Sequence, residues 1–452
     1  MKIIVVGCGK IGTSVISRFV KEGHDVVAID NDPQKLAALS NVYDIICVCG
    51  NGADNETLTE AGVSKAKVLI AVTGSDELNM LSCFIARKMG ARHTVSRIRN
   101  PEYNDSSFGF LKKELHLSLA LNPEKLAANE MFNILKLPSA ASIETFCSEK
   151  FEMIELKLKE NSVLNNVKLC DLKKQIGGGF LVCAVKRNDE VFIPGGDFSL
   201  KDGDMIAVTA ASTEIPKLLK QIKLTQNRAR NIIILGASKT SYYLAQMLIN
   251  SGNSVKIIEK DEKRCKEFSE ALPKAVIING DGTDRELLLE EGIQTADAFI
   301  ALTGLDEVNI LLSIYASNLN VKKVITKVNS TELSLLASKL GIETIISPKT
   351  LVADTLSSYT RALSHSRDSR VETVYNLMGD TIEALEFQVG EEFAFKNIPL
   401  SELKIKKNIL IAGILRKGKI IIPSGANHIE SGDRVVVISH GKKVDELSDI
   451  MI

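Results

Sequence analysis

The amino-acid sequence predicts an α/β protein made of two doubly wound parallel-sheet domains, each followed by a small α+β domain. Three observations carry this expectation. Short apolar runs alternate with amphipathic stretches of helical period, the pattern of strands joined by crossover helices. A glycine-bearing turn separates the first such strand from the first such helix. The whole pattern then recurs about 230 residues further on.

Lys2–Val6 is a continuous apolar run, as expected of a strand buried on both faces. Gly7-Cys8-Gly9-Lys10-Ile11-Gly12 follows and matches G-x-G-x-x-G. A helix is expected over Thr13–Glu22, with Val15, Ile16, Phe19 and Val20 on one face and Gly23 ending it. Asp25–Ile29 reads as a second strand, with Asp30 at its carboxyl end. Strand, loop, helix, strand and acid in this order make a Rossmann-like fingerprint for a dinucleotide. Gly7 permits the tight turn, a side chain at Gly9 would collide with a pyrophosphate, and Gly12 lets the helix approach the sheet. The free N–H groups and positive dipole end of the helix would face the phosphates. Asp30 can accept hydrogen bonds from both ribose hydroxyls and would repel a 2′-phosphate, which favours NAD over NADP.

Further along, Asn31-Asp32-Pro33 starts a helix through Leu39, and Asp44–Cys49 reads as a third strand. Gly50-x-Gly52-x-Asp54 is a second glycine-bearing loop, with a helix to Ala61. Val68–Val72 is a fourth strand, running into Thr73-Gly74-Ser75-Asp76-Glu77 and a helix from Leu78. His93–Ile98 is a fifth strand carrying Arg97, and Leu115–Leu121 holds a short sixth. Gly7 recurs as Gly236, Asp30 as Glu259, and Gly50-x-Gly52-x-Asp54 as Gly280-x-Gly282-x-Asp284. Thr73-Gly74-x-Asp76-Glu77-x-Asn79 recurs as Thr303-Gly304-x-Asp306-Glu307-x-Asn309, and Arg97 falls opposite Lys327. The chain is thus two copies of one long unit.

A second kind of segment is also doubled. Ile193-Pro194-Gly195-Gly196 with Asp202-Gly203-Asp204 is matched by Ile422-Pro423-Ser424-Gly425 with Ser431-Gly432-Asp433. Short alternating strands with glycine turns suggest a small, mostly antiparallel module. Glu124–Pro138 and Lys349–Leu363 read as amphipathic connecting helices, and Ser364–Arg370 as a flexible joint. The expected domains are 1–123, 140–225, 230–348 and 369–452.

Composition narrows the function classes. Lys+Arg 56 balances Asp+Glu 56, and Trp is absent, so neither a field nor a stacking surface favours nucleic acid. No apolar stretch approaches the ~20 residues of a membrane span, and the first apolar run leads straight into the glycine loop as a strand does, not a leader. The eight cysteines form no C-x-x-C pair, which fits reduced thiols better than disulfides or zinc. The six histidines have no metal-like spacing. Cys47 and Cys49 share a strand face and are expected to be packing residues. Cys8, at a helix N-terminus, is the one thiol placed for a lowered pKa, although the position also suits a residue chosen for size. Asp54 reads as a helix cap, and Asp76 and Glu77 as complements to a helix dipole. Arg97 is either a surface ion-pair partner or, on the carboxyl edge of the sheet, a ligand cation.

With these residues in view, the chain resembles the TrkA family of Trk-type potassium-uptake regulators, built of tandem RCK-type N and C halves. The marks are Gly7–Gly12 with Asp30, the Gly-x-Gly-x-Asp loops, the Thr-Gly-x-Asp-Glu-x-Asn segments and the order of four modules. The resemblance implies a non-catalytic cytoplasmic protein, peripheral on the cell membrane. It would dock on an integral membrane K⁺ translocation subunit of the Trk type, as a ring expected to be a tetramer. NAD(H), with ATP/ADP as alternatives, would bind at Gly7, Cys8, Gly9, Lys10, Ile11 and Gly12. Asp30 would hold the ribose, Thr73 and Gly74 would approach the cofactor, and Arg97 would face the phosphates. The second copy departs from the pattern: Ser238 and Ser241 stand where Gly9 and Gly12 would be. Gly236 and Glu259 leave three options there: weak binding, a different nucleotide, or a purely structural loop. An NAD-dependent oxidoreductase with duplicated domains is the competing class, but the intervening modules offer it no proton donor or acceptor constellation.

Overall fold

In a computed structural model of the chain, the described residues are 1–100, 103, 106–136, 140–146, 151–158, 160, 162–176, 179–188, 190–223, 229–364, 369–378, 381–441, 444 and 446–452. The first parallel-sheet half runs β1 (Lys2–Val6), α1 (Lys10–Lys21), β2 (Asp25–Asp30), α2 (Pro33–Ser40), β3 (Ile46–Cys49), α3 (Asn55–Glu60), β4 (Val68–Ala71), α4 (Asp76–Lys88), β5 (His93–Arg97), α5 (Ser106–Glu114), β6 (Leu119–Leu121) and α6 (Pro123–Lys136). The sheet order is β3-β2-β1-β4-β5-β6, parallel throughout. The order reverses between β1 and β4, so the loops after these two strands open a crevice at the carboxyl edge. Ile3, Ile4 and Val5 have no solvent exposure, which is why β1 reads as an unbroken apolar run.

The first small module contains β7 (Ala140–Phe146), β8 (Phe151–Lys157), α7 (Leu169–Ile176), β9 (Phe180–Arg187), β10 (Glu190–Phe192), β11 (Met205–Ala211) and α8 (Ile215–Gln221). The second parallel half follows as β12 (Asn231–Leu235), α9 (Lys239–Asn250), β13 (Ser254–Glu259), α10 (Glu262–Ala271), β14 (Val276–Asn279), α11 (Arg285–Glu290), β15 (Ala298–Ala301), α12 (Asp306–Asn318), β16 (Lys323–Lys327), α13 (Thr331–Lys339), β17 (Ile345–Ile346) and α14 (Pro348–Ser364). Its order, β14-β13-β12-β15-β16-β17, repeats that of the first sheet. The last module holds β18 (Ser369–Leu377), β19 (Ile382–Val389), β20 (Ile409–Arg416), β21 (Lys419–Ile421) and β22 (Arg434–His440). Both small sheets are antiparallel with matching strand orders, β7-β8-β11-β9-β10 and β18-β19-β22-β20-β21.

Several boundaries differ from expectation. Helix α1 begins at Lys10, with Gly9 as its N-cap, so Gly12 lies inside the first turns of the helix and not in a loop before it. The short sixth strand, Leu119–Leu121, lies within the expected Leu115–Leu121, and the unexpected helix α5 precedes it. The third strand is Ile46–Cys49, two residues shorter at its start. The joint expected over Ser364–Arg370 falls mostly on 365–368, outside the described residues.

The chain forms two compact units: Met1–Phe132 with Arg230–Ser357, and Asn133–Ala229 with Ser358–Ile452. In the first unit the two parallel-sheet halves meet directly. The Asn122 side-chain amide donates to Tyr243 Oη at 3.1 Å, Arg18 pairs with Asp354 at 3.4 Å, and Ser357 Oγ donates to Glu22 at 2.5 Å. In the second unit the two antiparallel sheets share one core, in which Phe146, Phe151 and Met153 pack with Ile382, Ala384 and Val436. A Cβ at Gly413 would collide with the Phe151 ring, so a bare backbone here is what admits the aromatic from the other module. Across the same junction the Met378 N–H donates to the buried Glu155 carboxylate at 2.7 Å, and Thr209 Oγ1 donates to the Ala412 carbonyl at 3.1 Å.

Candidate functional site

The crevice predicted by the strand order is present as a cleft of about 640 Å³. Gly7, Gly9, Lys10, Ile11, Asp30, Thr73, Gly74 and Arg97 all line it. Gly7 has φ +96°, and a Cβ there would sit 2.8 Å from the Thr73 amide nitrogen, so the turn needs glycine twice over. At Gly9 an added Cβ would meet nothing, because the position opens onto the cleft. No side chain caps α1, so the amides of its first turn are not taken by a capping residue.

Asp30 is 8% exposed and ties the loop together. Its Oδ2 accepts from the Cys8 N–H at 2.6 Å and its Oδ1 from the Asp32 N–H at 3.0 Å. Lys35 lies 3.7 Å from Oδ1. Each carboxylate oxygen has further acceptor capacity for a sugar hydroxyl.

The cleft's other lip is set by two residues that the sequence reading left out of the site. Asn79 is fully buried; its Oδ1 accepts from the Thr73 N–H and hydroxyl, both at 2.7 Å, and its amide donates to the Arg97 carbonyl at 3.0 Å. Asp76 accepts from the Arg99 and Asn100 N–H groups at 2.8 and 2.7 Å, fixing the loop after β5. Asp76 therefore does more than complement a helix dipole. The signal was in the repeat, since Asn309 and Asp306 make the same bonds in the second copy. Arg97 donates through Nη2 to the Thr73 carbonyl, and its buried Nε has no hydrogen-bond partner. Burial first, and then neighbouring Arg99, pull its pKa down.

Cys8 and Gly12 sit behind the cleft and do not line it. The Cys8 side chain is buried with Sγ 3.8 Å from the Ile29 carbonyl oxygen. Burial, with Asp30 nearby, pushes its thiol up to about 12, the opposite of the lowering a helix N-terminus suggested. A Cβ at Gly12 would overlap the Gly7 carbonyl oxygen, so Gly12 serves the closeness of helix and loop. Asp54 caps α3, accepting from the Thr57 N–H at 2.9 Å. Of the Cys47 and Cys49 pair expected to pack, Cys49 is exposed. Among the described residues no group of His, Cys, Asp and Glu could hold a metal ion.

A second cleft of about 370 Å³ lies at the corresponding edge of the second sheet, lined by Gly236, Ser238 and Glu259 among others. Glu259 repeats the Asp30 pattern, accepting from the Ala237 and Asp261 N–H groups at 2.7 and 3.0 Å. Here Ser238 and Ser241 form a capping box: Ser238 Oγ accepts from the Ser241 N–H at 3.2 Å. Ser241 Oγ donates to the Gly236 carbonyl at 2.5 Å, filling the place that Gly12 leaves bare.

The comparisons with known proteins agree with this architecture. TrkA-N domain models match residues 3–108 and 232–348, and TrkA-C domain models match 153–223 and 384–452. The Trk system potassium uptake protein TrkA homolog of Archaeoglobus fulgidus is 31% identical, with 100% of each chain covered. The Trk system potassium uptake protein TrkA of Haemophilus influenzae is 28% identical, covering 100% of this chain and 98% of that one. Among solved structures, the GsuK RCK domain superposes with a TM-score of 0.64 at 16% identity, over 97% of this chain and 92% of that one, a likeness of fold. Two parallel-sheet halves with matched clefts, two paired antiparallel modules and full-length similarity lead to one conclusion: the chain belongs to the TrkA family.

Proposed function

We propose that the chain is the nucleotide-binding regulatory subunit of a Trk-type potassium-uptake system, acting on a separate membrane K⁺ subunit. The observation that carries this reading is the first cleft: main-chain donors, a ribose-side acid and cations converge at the switch point of a parallel sheet. NAD(H) is the ligand this arrangement suits best. Its diphosphate would lie on the amides around Gly9 and Lys10, its ribose on Asp30, with Thr73, Gly74 and Arg97 beside it. Adenine nucleotides fit the same donors; solved GsuK structures include a channel bound to NAD and a form bound to ADP. Gly236 and Glu259 would serve the second cleft.

A regulatory role is favoured over hydride-transfer chemistry. Among the described residues, those lining the first cleft include no His, Cys or Tyr. Of its carboxylates, Asp30 is bonded to the loop, and Glu124 lies 3.9 Å from Arg99. No helix among the described residues is long and apolar enough to cross a membrane, which supports action through a partner. Ligand binding shifts an equilibrium only through differential affinity, and paired halves joined to paired modules provide arrangements among which to discriminate. A homo-oligomeric ring on the cytoplasmic face, with segments 1–123, 140–225, 230–348 and 369–452 as its modules, completes the reading.

The test is K⁺ flux through the co-purified membrane subunit reconstituted with this protein, with NADH, NAD⁺, ATP or ADP added in turn. A nucleotide-dependent change in flux is expected. Sustained NADH oxidation by the purified protein against a panel of carbonyl compounds would overturn the proposal.

A further inference from the structure

The two clefts share a lining residue. The first is completed by the second half of the chain: Lys327, Asn329 and Lys349 line it together with the residues of the first half. Lys327 also lines the second cleft. It stands at the carboxyl end of β16, the position that Arg97 holds on β5. Arg97 lines the first cleft alone, whereas Lys327 reaches both.

The backbone of Lys327 is fixed, because its carbonyl accepts the Asn309 side-chain amide at 3.0 Å. Its side chain is held weakly by comparison. Nζ lies 3.5 Å from the Leu302 carbonyl, at the limit of a hydrogen bond, and no ion pair forms among the described residues. Burial pulls its pKa down, opposed by Asp306 and Glu124. A flexible four-carbon stem can direct one ammonium group to either side, but not to both at once.

We propose that Lys327 is a phosphate-binding cation shared by the two clefts, so that anionic ligands compete for it and occupancy of one cleft weakens binding at the other. The proposal rests on the nucleotide reading above. In this arrangement the first cleft has Lys10, Lys35, Arg97, Arg99 and Lys349 as further cations, while the second has Lys260 and Arg264 beside Lys327 and depends on it more heavily. A ligand entering the first cleft draws the ammonium toward its own phosphates and leaves the second cleft with less positive charge. Reciprocity requires that a ligand in the second cleft weaken the first by the same factor.

The experiment is calorimetric titration of the full-length protein with ADP, alone and at saturating NADH, together with NADH titration at saturating ADP. Two sites per chain are expected, with each ligand weakening the other about fivefold. Lys327→Met should lower affinity at both sites and bring the coupling factor to about one. Lys327→Arg, which keeps the charge, should retain both affinities and separates loss of charge from loss of fold. Arg97→Met should weaken the first site only. A single site per chain, or coupling unchanged in Lys327→Met, would overturn the shared cation while leaving the nucleotide reading intact. No binding of any nucleotide to the wild-type protein would instead remove the nucleotide reading, and this proposal with it.

Discussion

The first and second clefts share a frame and differ at the mouth. In both, a glycine at φ +96° starts the loop, Gly7 in one and Gly236 in the other. Both have an acid at the end of the second strand that accepts two equivalently placed N–H groups, although Asp30 and Glu259 differ by a methylene. Both have an Asn that pins the Thr-Gly lip to the fifth strand. At the mouth they part. Around Gly9 the first helix N-terminus is uncapped, whereas Ser238 and Ser241 satisfy each other at the second. The frame therefore belongs to the fold, and the two clefts differ at the mouth.

The largest effect should come from the acid. Asp30→Ala releases the Cys8 and Asp32 amides and, on the nucleotide reading proposed above, removes two charge-assisted acceptors for the ribose. NADH affinity at the first cleft should fall by about 100-fold, roughly 3 kcal/mol. Glu259→Ala should leave that affinity within about twofold, since it removes no group from the first cleft and, with the second cleft empty, no ligand there competes for Lys327. Equal losses from the two substitutions, read by NADH fluorescence titration, would mean that the clefts do not divide the ligand as their mouths suggest.

The frame was legible in the sequence because it is local. Gly7, Gly9 and Asp30 lie within a short span whose strand and helix periods are unmistakable, and the recurrence at Gly236 and Glu259 supplied a second reading. The small antiparallel modules were legible from their doubled Pro-Gly and Gly-Asp turns. Helix α5 was not, because Gly109 interrupts it and its apolar residues make too weak a face. Gly12 reads in the sequence as letting the helix approach the sheet, but from a place before the helix; the nearness of the Gly7 carbonyl explains a glycine inside the helix, where glycine is otherwise disfavoured. Asn79 and Asp76 were missed because their partners lie 18 to 24 residues away on the next strand and the loop after it. The contribution of Lys327 and Lys349 to the first cleft depends on how two halves more than 200 residues apart pack, which no spacing within either half encodes.

A second contrast lies where the helix meets the loop. Gly12→Ala would place a Cβ against the Gly7 carbonyl, a backbone atom that cannot swing away, at a cost of about 2–3 kcal/mol. Ser241→Ala in the other copy loses a hydroxyl bond to Gly236 and one half of a capping box, about 1 kcal/mol. The thermal unfolding midpoint should therefore fall further for Gly12→Ala. The reverse order would show that the bare position in the first copy is tolerant and that its glycine serves the ligand instead of the packing.

The smallest expected effect compares one sheet position in the two copies, His93 at the start of β5 and Lys323 at the start of β16. Burial lowers the pKa of both, helped at His93 by Lys67, Arg87 and Arg92 and opposed at Lys323 by Glu343. Lys323 is brought to about 8 from 10.5. Between those values the unfolded chain binds a proton that the folded chain does not, so stability rises with pH through that window. A gain of about 1 kcal/mol is expected from pH 8 to 9.5. His93 obeys the same sign at lower pH: its folded pKa lies below 6.5, so stability falls as pH drops below that value. Lys323→Met should flatten the alkaline rise and leave the acid limb alone, and His93→Gln should do the converse. Thermal unfolding of both variants across pH 5 to 10 reads the two limbs separately. If one substitution moved both limbs, the titrating groups would lie elsewhere, and the two halves would share a pH response instead of carrying one each.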